Sequence, residues 1–206
     1  MAHLTTNILT LNISAISSSS NLQELSRLLN TEGVDIALLQ EVSVPAFNFY
    51  GYSEYVNVGP NRRGTALLWR SSLPLTDLAT VPSGRAVAAT FGDVRVVNVY
   101  APTGNARRER NEFFAQDVTP LFAGPRSAHV GHVVGGDFNC VQEDRDTTGV
   151  AHKSAALEQL IKGLGLSDAW RLMSRLQAAA RGSTGSTSAR HWGRQSSRRT
   201  TTRWQE

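Results

Sequence analysis

Cysteine is almost missing from this 206-residue chain. Cys140 stands alone, which excludes an internal disulfide framework and any zinc site built on cysteines. No uninterrupted apolar run reaches the length of a membrane-crossing helix, so no membrane partner is expected. Met1 to Ser20 is too rich in polar residues to hold the apolar centre of a signal peptide, and an intracellular protein is the expectation. Apolar residues are missing from one end: after Leu176 the chain has no Leu, Ile, Val or Phe. Residues 171–206 instead carry eight Arg and one Glu, which leaves −3 for residues 1–170 out of the total of +4. The basic character therefore belongs to the tail. The slightly acidic body is not built to bind nucleic acid by bulk charge, although a metal ion and local arginines could still hold phosphates. Residues 177–206 are expected to be a disordered tail rich in Arg, Ser and Thr, because they offer little apolar surface to offset the entropy of ordering. A short helix over Leu172, Met173 and Leu176 could precede it.

The patterned part of the chain begins with a strand at Asn7–Ile13. A capping signal at Asn21 and Glu24 follows, and Leu22, Leu25, Leu28 and Leu29 make one helical stripe that Gly33 ends. Val34–Leu39 reads as a buried strand, which completes a βαβ unit. Strands without intervening helices come next: Tyr52–Val58, Gly64–Trp69, Arg85–Phe91 and Val94–Val99. Pro60–Gly64 and Gly92-Asp93 supply the turns. Arg107 to Phe122 predicts one helix, with Phe113, Phe114, Val118 and Leu121 facing inward. Leu157, Leu160, Ile161 and Leu164 predict another, after which Leu166–Trp170 returns toward the core.

Between these two helices, His129–Val134 reads as a strand. Gly135 and Gly136 let the backbone bend or approach a neighbour closely. Asp137 and Asn139 then fall two apart, which on extended chain puts a carboxylate and an amide on one face. A simple Asx turn is the plainer reading of the same residues. Asn12, Glu41, Tyr100 and the Asp137/Asn139 pair all end strands, and strands of one sheet ending at one edge would gather them at a cleft. His129 and His132, three apart on a strand, face opposite sides and make a poor ligand pair, so they read as surface residues.

Leu11-Asn12-Ile13, Leu39-Gln40-Glu41-Val42, Gly64-Thr65-Ala66-Leu67-Leu68, Asn98-Val99-Tyr100-Ala101-Pro102 and Gly135-Gly136-Asp137-Phe138-Asn139 come in a telling order. Together they resemble the endonuclease/exonuclease/phosphatase superfamily, which includes DNase I-like and apurinic endonuclease-like enzymes. The last two motifs look most like the endonuclease domains of LINE-type retrotransposons. The resemblance implies an α/β fold, a four-layer α/β sandwich of two mixed β-sheets with outer helices, over residues 1–176. It also implies Mg²⁺-dependent hydrolysis of DNA phosphodiesters, with Mn²⁺ as an alternative ion, and a nuclear location if genomic DNA is the substrate. Glu41 would bind the metal, with Asn12 beside it as ligand or orienting group. Asp137 would orient and deprotonate the attacking water, while Asn139 and Tyr100 would hydrogen-bond the scissile phosphate.

The chain departs from the family at its C-terminal end. No Ser-Asp-His run occurs, no Asp follows Asp168, and His191 sits in an unrelated context. The domain is therefore expected to lack its last strands and to have impaired activity. Two other readings remain open at this level: a phosphatase or phosphodiesterase for a small phosphorylated ligand, and a catalytically dead remnant that binds nucleic acid through its arginines.

Overall fold

Alternating apolar residues near the N-terminus form the first sheet of the computed structural model, which describes residues 5–103, 106–123, 131–183 and 200–203. Strand β1 (Asn7–Asn12) leads through helix α1 (Ser19–Thr31) to β2 (Ile36–Val42), which lies parallel to β1. The Ser18 side chain caps α1 by accepting from the Asn21 N–H. Strands β3 (Tyr52–Val58) and β4 (Gly64–Arg70) form a hairpin beside β2, and β9 (Thr200–Arg203) pairs antiparallel with the other edge of β1. The second sheet has the order β5 (Leu75–Thr80), β6 (Ala86–Phe91), β7 (Val94–Tyr100), β8 (Gly131–Asp137). Only its last pair is parallel. Both sheets are mixed, as the resemblance implies.

Three apolar layers separate four structural ones. Leu9, Ala37, Leu39, Ala66 and Leu68 face outward onto Leu25 and Leu29 of α1. Ile8, Ile36, Leu38 and Leu67 face inward onto Val87, Ala89 and Val96 of the second sheet. The far side of that sheet, with Ala88, Val97 and Val99, is covered by Phe113, Phe114 and Val118 and by Leu157 and Leu160 of helix α3 (Ala155–Gly163). The period-2 strand pattern thus divides each sheet between two cores.

Four expectations need correction. The single helix over 107–122 is instead α2 (Arg107–Glu112), a wider π-helical turn (Phe113–Val118) and a tight 3₁₀ turn (Thr119–Phe122). Pro120 has no N–H to continue an α-helical ladder, and the Thr119 hydroxyl donates to the Phe114 carbonyl. Strand β5 has no counterpart among the predicted strands. It is a largely exposed edge strand whose register slips between Thr76 and Ala79, with Asp77 at φ 54°, so its sequence carries no alternation. Trp170 does not return to the core: it is 68% exposed at the start of helix α4 (Ala169–Ser183), whereas Arg171 turns inward to Glu143, Asp146 and Asp168. Finally, the tail expected to lack structure from Gln177 contains the end of α4 and the strand β9. Gln177-Ala178-Ala179-Ala180 is good helix-forming sequence, and the β-branched Thr200-Thr201-Thr202 suits an edge that needs only backbone pairing. The rest of that expected tail lies outside the described residues. No helix among the described residues is long and apolar enough to cross a membrane.

Candidate active site

Strand β2 sets the geometry. Ala37 and Leu39 face α1, while Leu38 and Gln40 face the other sheet, yet Val42 is back on the α1 side. The alternation is reset because Gln40 pairs with Thr65 and Val42 with Gly64, leaving Glu41 as the extra residue of a bulge. Glu41 has φ 56°, a left-handed conformation that costs a non-glycine residue about 1–2 kcal/mol. The bulge aims its carboxylate out of the sheet at the strand end. Asn139, another residue of the predicted site, also has a left-handed φ, 46°, as do five non-glycine residues elsewhere among the described residues.

The glycines before Asp137 bring β8 to the same place. A Cβ on Gly135 would meet Leu38 Cδ1 of the facing sheet at 2.6 Å. Gly136 has φ 144°, and a Cβ there would meet the Val99 carbonyl oxygen at 2.0 Å. Only glycine fits at Gly136, whose clash is with backbone, while a side chain at Gly135 would have to displace Leu38; the close approach delivers Asp137 beside the end of β1. Asn12 Nδ2 then donates to Asp137 Oδ2 at 3.0 Å and to Glu41 Oε1 at 2.9 Å. One amide nitrogen joins carboxylates from the two sheets.

The amide's orientation follows from its other end. Asn12 Oδ1 accepts the Ser14 N–H at 2.9 Å, in a turn where Ser14 and Ala15 both have positive φ. Its carbonyl oxygen is thereby engaged, and the NH₂ group faces the carboxylates. An amide NH₂ has no lone pair for a metal, so in this geometry Asn12 is a donor to both carboxylates, and the ligand role that the resemblance allows would fall to its Oδ1, which here accepts the Ser14 N–H.

Asn139 also differs from the extended-chain expectation. Its N–H donates to Asp137 Oδ1 at 3.1 Å, which is the Asx turn, and its Nδ2 donates to the Ala101 carbonyl at 2.8 Å. Turn and site are the same feature. Tyr100 pairs with Asp137 across β7 and β8. The Arg85 guanidinium lies over the Tyr100 ring, 5.0 Å from its centroid. Burial, and then the nearby Glu41 carboxylate, push the Tyr100 phenol above its ordinary value, with a smaller push from Asp137 and an opposing pull from Arg85 and Arg63.

Directly behind the site lies a second polar bridge. Gln40 Nε2 donates to Asn98 Oδ1 at 2.7 Å, and Asn98 Nδ2 donates to the carbonyls of Leu39 and Ala66 at 2.9 Å each. Gln40 and Asn98 are buried, so these bonds tie the sheets together in a low-dielectric interior. Both residues stood in the recognised motifs without a role. Arg63, part of the predicted Pro60–Gly64 turn, has its Nη1 3.2 Å from Glu41 Oε2. Long-range pairing of this kind leaves no periodic trace in sequence.

The remaining candidates lie elsewhere. Asp168 Oδ1 accepts the Arg171 N–H at the start of α4. His132 is half-buried with its ring edge-on to Phe122, so it packs against the helical layer and is not a simple surface residue. His129 and His191 lie outside the described residues. Cys140 is half-buried, and burial pushes its thiol up to about 11, away from nucleophilic chemistry at neutral pH.

A family model described as the Endonuclease/Exonuclease/phosphatase family matches residues 4–205. The chain belongs to this family. Its members are hydrolases acting on phosphodiester bonds, which places the protein among nucleases and phosphatases. Solved structures with the same fold include an apurinic endonuclease, LMAP, from Leishmania major. It has 16% identity and a TM-score of 0.64, covering 82% of this chain and 69% of that one. The 3′-5′ exonuclease NExo from Neisseria meningitidis has 24% identity and a TM-score of 0.64, covering 81% and 74%. An apurinic endonuclease from Archaeoglobus fulgidus has 20% identity and a TM-score of 0.63, again covering 81% and 74%. A Neisseria 3′ phosphatase solved with a product DNA hairpin has 23% identity and a TM-score of 0.61, covering 77% and 70%. No curated protein matches the chain.

A divalent ion is the usual companion of this family's carboxylates. Among the described residues no group of three or more His, Cys, Asp or Glu side chains is placed to hold one. Mg²⁺ asks for less, since it is commonly held by one or two carboxylates plus substrate phosphate and water. Glu41, a hard oxygen donor with a partly exposed carboxylate, fits that requirement, and the Asn12 amide keeps Asp137 close by for a separate role.

Proposed function

We propose that this family member is a Mg²⁺-dependent DNA endonuclease, a nicking domain of a retrotransposon-type protein. The observation that carries the reading is the single Asn12 amide that holds Glu41 and Asp137 at adjoining strand ends of two sheets. The Neisseria relative with its DNA hairpin supports DNA as the substrate. The motifs Asn98–Pro102 and Gly135–Asn139 support the retrotransposon branch, and a nuclear location follows if genomic DNA is cut.

In this reading Glu41 holds the ion, and Mn²⁺ would serve in place of Mg²⁺. When bound, the ion neutralises charge on the phosphoryl oxygens and the leaving group. Asp137 accepts the proton of the attacking water at Oδ1 or Oδ2, while the Asn12 and Asn139 N–H donors keep its carboxylate from rotating. The second Nδ2 hydrogen of Asn139 and the Tyr100 hydroxyl donate to the scissile phosphate. The Tyr100 hydroxyl carries its proton at neutral pH as an ordinary phenol does, and so can donate. A histidine and aspartate from a Ser-Asp-His run would add to phosphate binding, and without them the rate is lowered, because groups acting in one transition state are strongly non-additive.

Nicking of supercoiled plasmid in Mg²⁺ tests the reading, with Asp137→Ala as the contamination control and inositol phosphates as the competing substrate. Slow nicking that disappears in Asp137→Ala and in chelator is the expected result. A plasmid signal equal in both proteins, or a preference for inositol phosphates, would overturn it.

A further inference from the structure

The Glu41 carboxylate is held from two sides by unlike donors. Oε1 takes a neutral amide hydrogen from Asn12, and Oε2 faces the Arg63 guanidinium at 3.2 Å. Arg63 ends the turn between β3 and β4. Its carbonyl accepts the Gly59 N–H, and its own N–H donates to Asn61 Oδ1, so its backbone is pinned independently of the side chain. The side chain is 41% exposed, and that of Glu41 27%. This is a cation on a long, solvent-accessible stem, resting on the carboxylate that the proposed function assigns to the ion.

We infer that Arg63 is the resident counter-ion of Glu41, and that it weakens metal binding to the free protein by competing for that carboxylate. The inference rests on the reading of Glu41 as the metal-holding group. A guanidinium and a divalent cation compete for the lone pairs of the same carboxylate, and each repels the other in the shared space. Without an ion, Arg63 offsets the negative charge that Glu41 and Asp137 build up at one cleft, and so helps the strained bulge persist. With an ion, repulsion weakens or breaks the Arg63 pair, and that loss is subtracted from metal affinity. Arg63 is therefore a positioning residue, distinct from the groups that touch the reacting atoms.

The size of the effect follows from the exposure of the pair. Exposed ion pairs contribute about 0.2–1 kcal/mol, which converts to an affinity change of up to about fivefold. The pair is accessible and its removal leaves Glu41 on Asn12, so folding of an Arg63 variant is not at risk.

The test is direct Mn²⁺ binding to the full chain, read from the loss of the free-ion electron paramagnetic resonance signal at low ionic strength. Arg63→Gln is expected to bind Mn²⁺ about two- to fivefold more tightly than the unsubstituted protein. Arg63→Lys, which keeps the charge, should stay near the unsubstituted value. The gain should vanish when Glu41→Gln is added. Unchanged or weaker binding by Arg63→Gln, with Glu41→Gln weakening binding as expected, would overturn the counter-ion role alone. Unchanged binding by Glu41→Gln would overturn the assignment of Glu41, and this inference with it.

Discussion

Gln40 and Glu41 are neighbours in the chain, and each connects the two sheets, but they do so in different media. Gln40 reaches Asn98 in the closed interior, where both side chains are buried and the Asn98 amide also holds two backbone carbonyls. Glu41 reaches Asp137 through Asn12, at partly exposed strand ends, with a long-stemmed arginine on its other oxygen. The first bridge leaves its polar groups engaged with protein, so its role is to set the distance between the sheets. The second joins two negative charges through one neutral donor, an arrangement that in the proposed function receives a cation at Glu41 and a proton at Asp137. One residue step along β2 separates framework from chemistry.

Substitutions should separate the two bridges in the same way. Asp137→Ala is expected to have the largest effect, lowering nicking by about a thousandfold, the range of a general base, while the urea midpoint barely moves. A large loss of stability would place Asp137 in the framework instead. Asn98→Ala comes next. It removes one partner each from the Leu39 and Ala66 carbonyls, while Gln40 Nε2 keeps Thr10 Oγ1 and the Leu38 carbonyl, at a cost of about 1–3 kcal/mol in equilibrium unfolding. Stability within about 0.5 kcal/mol of the parent would show that the buried bridge is dispensable.

Asn12→Ala should lower nicking about 10- to 100-fold, as loss of a group that orients ligands does, with stability changed by less than about 1 kcal/mol. A stability loss matching that of Asn98→Ala would remove the distinction between the bridges. The smallest expected effect is a titration. Because burial and Glu41 raise the Tyr100 pKa, the folded state holds its proton to higher pH than the unfolded chain. The resulting stability is present in full below the ordinary phenol value of 10.0 and is lost as pH rises through the higher folded value. Phenolate absorbance, taken as a difference against Tyr100→Phe, should show a midpoint above 10.0 that falls in Glu41→Gln. A midpoint indifferent to Glu41 would place the phenol outside the cleft.

Much of the framework could be read from the chain because it depends on local periodicity. The strands of the first βαβ unit and the β6–β7 hairpin alternate between two apolar layers, and each was placed within a few residues. Strand β5 could not be read, since a twisted edge strand with most residues exposed leaves no alternation. Nor could α4 be followed to Ser183, because the stripe of Leu172, Met173 and Leu176 stops at Leu176, and the structure leaves these residues and Trp170 exposed.

At the site, residue types and strand-end positions were properties of the sequence: an amide at 12, carboxylates at 41 and 137, a phenol at 100, and glycines where the backbone must pass closely. Direction belonged to the tertiary structure. A bulge on β2 turns Glu41 outward, the Ser14 N–H turns the Asn12 amide toward the carboxylates, and an Asx turn sends the Asn139 amide to Ala101. Arg63 joins them only because the β3–β4 turn folds over the end of β2. Periodicity reports which face a residue prefers, which is a local property of the backbone. Whether a side chain presents its donor or its acceptor depends on partners far away in sequence, such as the 125-residue separation between Asn12 and Asp137, and those exist only once both sheets have packed.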